Sequence, residues 1–150
     1  MKPLVKILFL CTGNSCRSQM AEGWARRLLG GIVAPFSAGV VAKGLDPRAV
    51  AVMAEAGVDI SRQASKIIAD LPERNFDLVV TVCDNARQVC PLFPGAAKVI
   101  HQGFDDPPAL AAGAKSEAEA LGHYRRVRDE IEAFVRTLTV QMGLNGRMGT

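Results

Sequence analysis

The chain has 150 residues, of which 49% are hydrophobic and 22% charged, and its net charge is +3. Those values suit one soluble globular domain with a sizeable core, and they exclude collagen-like, disordered and membrane classes. The charge is too small and too scattered to mark a nucleic-acid surface, although its sign favours a small anionic substrate.

The apolar run at 4–10 leads straight into polar loop residues. It reads as a buried strand, because a membrane span needs about 18 apolar residues and a secretory signal needs a small-residue cleavage site. The chain is therefore expected in the cytoplasm, away from membranes. After a loop at 11–17, Met20, Trp24 and Leu28 recur every four residues as one helix face, which Gly30-Gly31 ends. A second strand is expected near 34–38. Asp46-Pro47 has the form of an N-cap followed by proline at the first helical position. Val50 and Met53 follow at helical spacing, with Gly57 as the C-cap. A weaker helical stretch covers 64–70. Strands are expected at 77–82 and 98–101. Tyr124, Val127, Ile131, Phe134, Leu138 and Met142 then trace the clearest helix, by threes and fours. The expected organisation is a single domain over 1–142 and a flexible Gly-rich tail over 143–150.

Strands alternating with helices imply an α/β fold of parallel strands joined by right-handed crossovers, with the site beyond their carboxyl ends. Cys11 follows the first strand and Cys83 the third. The chain holds two further cysteines, Cys16 and Cys90. In a cytoplasmic chain these thiols suggest catalysis, redox chemistry or metal binding rather than structural disulfides. Metal spacing is poor: there is no CxxC pair, and His101 and His123 lie far apart. Neither a metal nor a cofactor is expected.

The segment Cys11-Thr12-Gly13-Asn14-Ser15-Cys16-Arg17-Ser18 lies between the buried strand and the amphipathic helix. A tight loop at a helix N-terminus points successive amides inward as an anion nest. Gly13 permits backbone angles that other residues resist. Arg17 brings a planar fork suited to a tetrahedral oxyanion. The same positive field lowers the pKa of the thiol at the loop's start, and Ser18 can donate to the thiolate. Cys16, at the start of the helix, is read as packing against or supporting the loop. Displacing an oxygen from an oxyanion also needs a proton donor. Gly103-Phe104-Asp105-Asp106-Pro107-Pro108 follows the fourth strand and offers one. Asp106 is held extended by the proline after it, and Asp105 is the alternative.

The loop, continued by Gln19-Met20-Ala21-Glu22-Gly23, resembles the low-molecular-weight phosphatase family and, more narrowly, its thioredoxin-coupled arsenate reductases. The likeness extends to Ser37-Ala38-Gly39, to 77–83, to Cys90-Pro91, to 103–107 and to Arg126-Val127-Arg128-Asp129-Glu130-Ile131. The resemblance implies a three-layer sandwich in which helices flank a four-stranded parallel sheet. It makes Cys11 the nucleophile, with Arg17 and the amides of Thr12, Gly13, Asn14, Ser15, Cys16 and Ser18 as the oxyanion site. It makes Asp106 the acid, and Cys83 and Cys90 a redox pair that ordinary phosphatases of this fold lack. Arsenate is the implied substrate, with phosphate or sulfate able to occupy the same site. Thioredoxin is the implied reductant, and the chain is expected to be a monomer. Some of these reductases bind potassium through Asn, Glu, Ser and Asp. Asn14, Glu22 and Ser37 match, but Lys66 stands at the Asp position, and its ammonium is expected to replace the metal's charge.

The expected cascade runs from a Cys11 adduct to a Cys11–Cys83 disulfide and then to Cys83–Cys90. The last pair is seven residues apart. On a helix that is a rise of about 10 Å, against the roughly 7 Å between α-carbons that a disulfide allows. If helical when reduced, the segment must unwind when oxidised. A protein-tyrosine phosphatase is the rival reading. Cys83, Cys90 and the scarcity of aromatics speak against it. A redox sensor or anion-binding module is the non-enzyme reading and predicts no multiple turnover.

Overall fold

The computed structural model describes residues 4–82 and 95–143. Strands β1 (Val5–Cys11), β2 (Val33–Gly39), β3 (Leu78–Thr81) and β4 (Val99–His101) form one sheet in the order β2-β1-β3-β4. Every pairing is parallel. Ile7, Leu8, Phe9 and Leu10 are consecutive and all but inaccessible. An unbroken apolar strand of this kind needs cover on both faces, which flanking helices supply in a parallel sheet. The next two strands in sequence, β2 and β3, lie on opposite sides of β1. This reversal of winding opens a crevice beyond the carboxyl ends of β1 and β3.

Helix α1 (Arg17–Leu29) buries Met20, Ala21, Trp24, Ala25 and Leu29, and Gly30 caps it, as the apolar spacing requires. Helix α2 (Pro47–Glu55) starts on Asp46, whose side chain accepts from Arg48 N. It ends where Val58 N–H returns to Met53 O at 2.9 Å and Gly57 takes φ +83°. Helix α3 (Pro107–Ala112) is short and has Asp106 at its N-cap position. Helix α4 (Glu117–Gln141) is capped by Ser116, which accepts from Glu119 N. Its buried face of Tyr124, Val127, Ile131, Phe134, Val135 and Leu138 packs against α1, α2 and α3. None of the described helices is long and apolar enough to cross a membrane.

One expected element is mostly absent. Of the stretch 64–70, only Ile68–Asp70 is helical, as a single 3₁₀ turn. Lys66 O accepts from Gly39 N at 2.9 Å, and Ile67 bridges Gly39 in parallel. Pairing with the end of β2 holds the chain extended there, overriding a weak local helical preference. The segment 107–112, which the sequence left unassigned, becomes α3 because its two prolines occupy the first turn, where no amide is needed.

Candidate active site

Residues 11–18 run from the end of β1 into the start of α1. Each carbonyl from Thr12 to Cys16 is turned outward to a protein donor. Thr12 O accepts from Val41 N at 3.1 Å, Gly13 O from Lys43 N at 2.9 Å, Ser15 O from Asp46 N at 3.0 Å and Cys16 O from Met20 N at 2.9 Å. Asn14 O accepts from Gln19 Nε2 at 3.0 Å. In a trans peptide the C=O and the following N–H point in opposite directions. The amides of Gly13, Asn14, Ser15, Cys16 and Arg17 therefore face the concave side. Such a run of inward amides makes a concave nest, and its carbonyl partners explain what keeps it open.

Packing leaves little freedom to this backbone. Gly39, opposite Cys11 in the register, sits so close that a Cβ on it would lie 2.8 Å from both Asn14 N and Thr12 O. Only glycine lets the loop close over the end of β2. Asn14 takes φ 47°, the one positive φ outside glycine among the described residues, and asparagine tolerates that region best. Its buried amide donates to Ser18 Oγ at 2.9 Å, and its Oδ1 accepts from Lys66 N at 2.9 Å and Gln19 Nε2 at 3.0 Å. With its oxygen already accepting, Ser18 still has a hydroxyl proton to donate.

Arg17 crosses from the loop to the acid segment. Its Nη1 donates to Phe104 O at 3.0 Å, and its Nη2 lies 3.5 Å from Asp106 Oδ1. Its Nε is buried with no hydrogen-bond partner. An orphan guanidinium N–H is costly unless a ligand takes it, and an oxyanion is the ligand its geometry suits. Cys11, Thr12, Gly13, Ser15, Cys16, Arg17, Lys43, Asp106 and Pro108 enclose a cavity of about 180 Å³. The open choice of acid is narrowed here. Asp105 pairs outward with Arg126 at 2.8 Å, whereas Asp106 faces the cavity. Cys83 and Cys90 lie outside the described residues.

The low molecular weight phosphotyrosine protein phosphatase profile matches residues 6–147. The chain belongs to this family. It is 54% identical over 125 residues to the arsenate reductase of Bacillus subtilis, covering 83% of this chain and 88% of that one. Among solved structures, it is similar to an arsenate reductase in the phosphate binding state. That likeness has a TM-score of 0.77 at 31% identity over 92% of this chain and 98% of the other. A thioredoxin-dependent arsenate reductase of Corynebacterium glutamicum matches with a TM-score of 0.68 at 26% identity, over 95% of this chain and 64% of that one.

Beyond the family loop, the structure identifies supports that sequence reasoning missed. Asp46 couples α4 to the loop: its backbone donates to Ser15 O, and its Oδ2 accepts from Tyr124 Oη at 2.6 Å. Burial, followed by that hydrogen bond, raises the Tyr124 phenol well above its usual range. Gln63 Nε2 donates to Gln19 Oε1 at 2.8 Å, bracing the residue that braces Asn14. The sequence marked Asp46 only as an N-cap and Tyr124 only as part of an apolar helix face, so neither pointed to the loop. Burial, with Asp46 second, raises the Cys16 thiol, so Cys16 stays protonated beside the loop.

At the position where the resemblance implies a potassium site, Glu22 is answered by side-chain cations. Glu22 Oε1 accepts from Ser37 Oγ at 2.6 Å, while Arg26 Nη2 donates to Glu22 Oε2. Lys66 Nζ donates to Ala64 O at 2.8 Å, and its pKa is lowered by burial despite the Glu22 charge. The cation directly on Glu22 is thus Arg26, with Lys66 close by. Two side-chain cations around one carboxylate do not fit a resident metal ion.

Proposed function

We propose that this chain reduces arsenate to arsenite for arsenic detoxification, in the cytoplasm and as a monomer. The unpartnered Arg17 Nε–H, buried beside Cys11 in a loop whose carbonyls all point away, carries the reading. It supports a site built for a tetrahedral oxyanion against an ionised sulfur. The 54% identity to an arsenate reductase favours arsenate over a phosphotyrosine ester.

In this reading, the nest and Arg17 hold arsenate while the Cys11 thiolate attacks arsenic. Asp106 gives its proton to the departing oxygen, which leaves as water. Cys83 then attacks Cys11 sulfur. The electrons of the As–S bond stay with arsenic, which leaves as arsenite, and a Cys11–Cys83 disulfide forms. Cys90 attacks Cys83, frees Cys11 and leaves Cys83–Cys90 for thioredoxin to reduce. With Arg26 and Lys66 answering Glu22, turnover is expected to be indifferent to exchanging sodium for potassium salts. A clear rate increase in potassium would remove that part.

The same loop and acid would serve phosphoryl transfer, so slow hydrolysis of small aryl phosphates is expected. The test couples arsenate to NADPH oxidation through thioredoxin and its reductase, with Cys11→Ser, Cys83→Ser and Cys90→Ser in parallel. All three variants should fail in steady state, and Cys90→Ser should retain one turnover. Rapid phosphotyrosine turnover with no arsenate-dependent oxidation would reverse the assignment.

A further inference from the structure

Lys43 stands at the mouth of the cavity without a role in any family pattern read from the sequence. It belongs to a segment that three backbone hydrogen bonds stitch along the loop: Val41 N to Thr12 O, Lys43 N to Gly13 O and Asp46 N to Ser15 O. This fixes where the Lys43 side chain begins. Its stem then lies across Gly13. A Cβ built on Gly13 would meet Lys43 Cδ at 2.7 Å and Cγ at 3.0 Å, so glycine there clears a path for the lysine. The ammonium is two bonds beyond Cδ, and Lys43 lines the same cavity as Cys11, Arg17 and Asp106.

Of the charged groups near it, Arg48 on the following helix is tied to Glu117 at 2.8 Å and Asp46 accepts from Arg48 N and Tyr124 Oη. Lys43 has no such partner among the described residues. The cavity it lines must take a tetrahedral dianion next to a thiolate. Arg17, the other full cation there, already faces Asp106 at 3.5 Å. One guanidinium shared with a carboxylate leaves that load under-compensated, and a mobile ammonium at the rim answers it.

We propose that Lys43 is a second cationic ligand of the oxyanion, closing over the mouth of the nest and selecting doubly charged tetrahedral anions. The inference deepens the arsenate reading and rests on it for the substrate, though not for the binding itself. Because the ammonium meets substrate and transition state alike, its energy is uniform binding. Its removal raises KM and leaves kcat nearly alone.

The experiment titrates the full chain calorimetrically with inorganic phosphate and follows arsenate kinetics in parallel. Lys43→Arg, Lys43→Gln and Lys43→Glu are compared with the wild type. A charge-assisted contact at a half-open site is worth about tenfold. Lys43→Gln should therefore weaken phosphate and raise the arsenate KM by about that factor. Lys43→Glu should lose more, and Lys43→Arg should stay within about twofold. The neutral variant should also show a shallower loss of phosphate affinity with added salt. Lys43 is exposed, and unchanged melting curves separate binding from folding. Phosphate affinity equal in all four proteins overturns the inference, as does a loss confined to kcat. A Lys43-dependent phosphate site in a chain that does not turn over arsenate would uphold the inference and remove the reductase reading instead.

Discussion

Two loops meet at the cavity, and they are held in opposite ways. The loop at 11–18 is braced from behind by buried groups: Asn14, Ser18 and Gln19 are fully inaccessible, and each carbonyl from Thr12 to Cys16 has a protein partner. The acid loop at 103–106 rests on Arg17 from inside and, from outside, on an Arg126–Asp105 pair whose side chains are 44% and 64% exposed. Oriented amides stabilise charge without reorganising at the moment of reaction, so rigidity on the anion side favours catalysis. In the proposed reaction a proton donor must approach and withdraw as oxygens come and go, and a lightly held carboxylate suits that task.

The contrast breaks most severely at Arg17, which belongs to the first loop and reaches the second through Phe104 O and Asp106. Arg17→Lys keeps a charge but loses the fork that reaches Phe104 O and leaves Nε for the anion. Turnover should fall by about 10²–10³-fold, read in the coupled arsenate assay. A loss under tenfold would mean that the nest alone holds the oxyanion. Next comes Asn14→Ala, which strips partners from Ser18, Gln19 and the Lys66 amide and places alanine at φ 47°. Thermal or denaturant unfolding should show a loss of about 2 kcal/mol. A neutral outcome would show that the loop is held by its backbone bonds alone.

Arg126→Ala probes the lightly held side. An exposed pair contributes less than about 1 kcal/mol, so melting should hardly move. Activity should drop less than tenfold, and the loss should vanish in an Asp106→Asn background if Arg126 acts only by setting the acid loop. The smallest effect concerns Cys16. Burial raises its pKa, so the folded state keeps this proton after an unfolded chain would release it. Stability should therefore slip as pH climbs past the ordinary thiol value, and be unaffected below it. Peptide-resolved alkylation at neutral pH should leave Cys16 unmodified while labelling Cys11. Ready labelling of Cys16 would show that the loop opens.

The sheet was legible because its signal is local: a continuous apolar run for β1, shorter ones for β3 and β4, and helices marked by spacing and caps such as Asp46-Pro47. The anion loop was legible for a related reason. Its chemistry needs glycine, small polar residues and arginine within a few positions of Cys11. The stretch at 64–70 was misread because a weakly helical segment is pulled extended by the end of β2. Arg26 escaped notice because a charge on a helix normally faces water, and nothing in its neighbours announces that Glu22 is buried.

By itself, the sequence determined the α/β alternation, and it supplied the Cys11-to-Arg17 loop and the candidates for nucleophile, acid and redox partners, since each depends on residue type and short spacing. Only the tertiary structure decided which carbonyls the segment at 41–46 would turn outward. It also decided that Asp105 rather than Asp106 would pair with Arg126, and that Lys43 would lie over Gly13. Those outcomes depend on which distant segments a parallel sheet brings to one edge, and spacing along the chain carries no record of that.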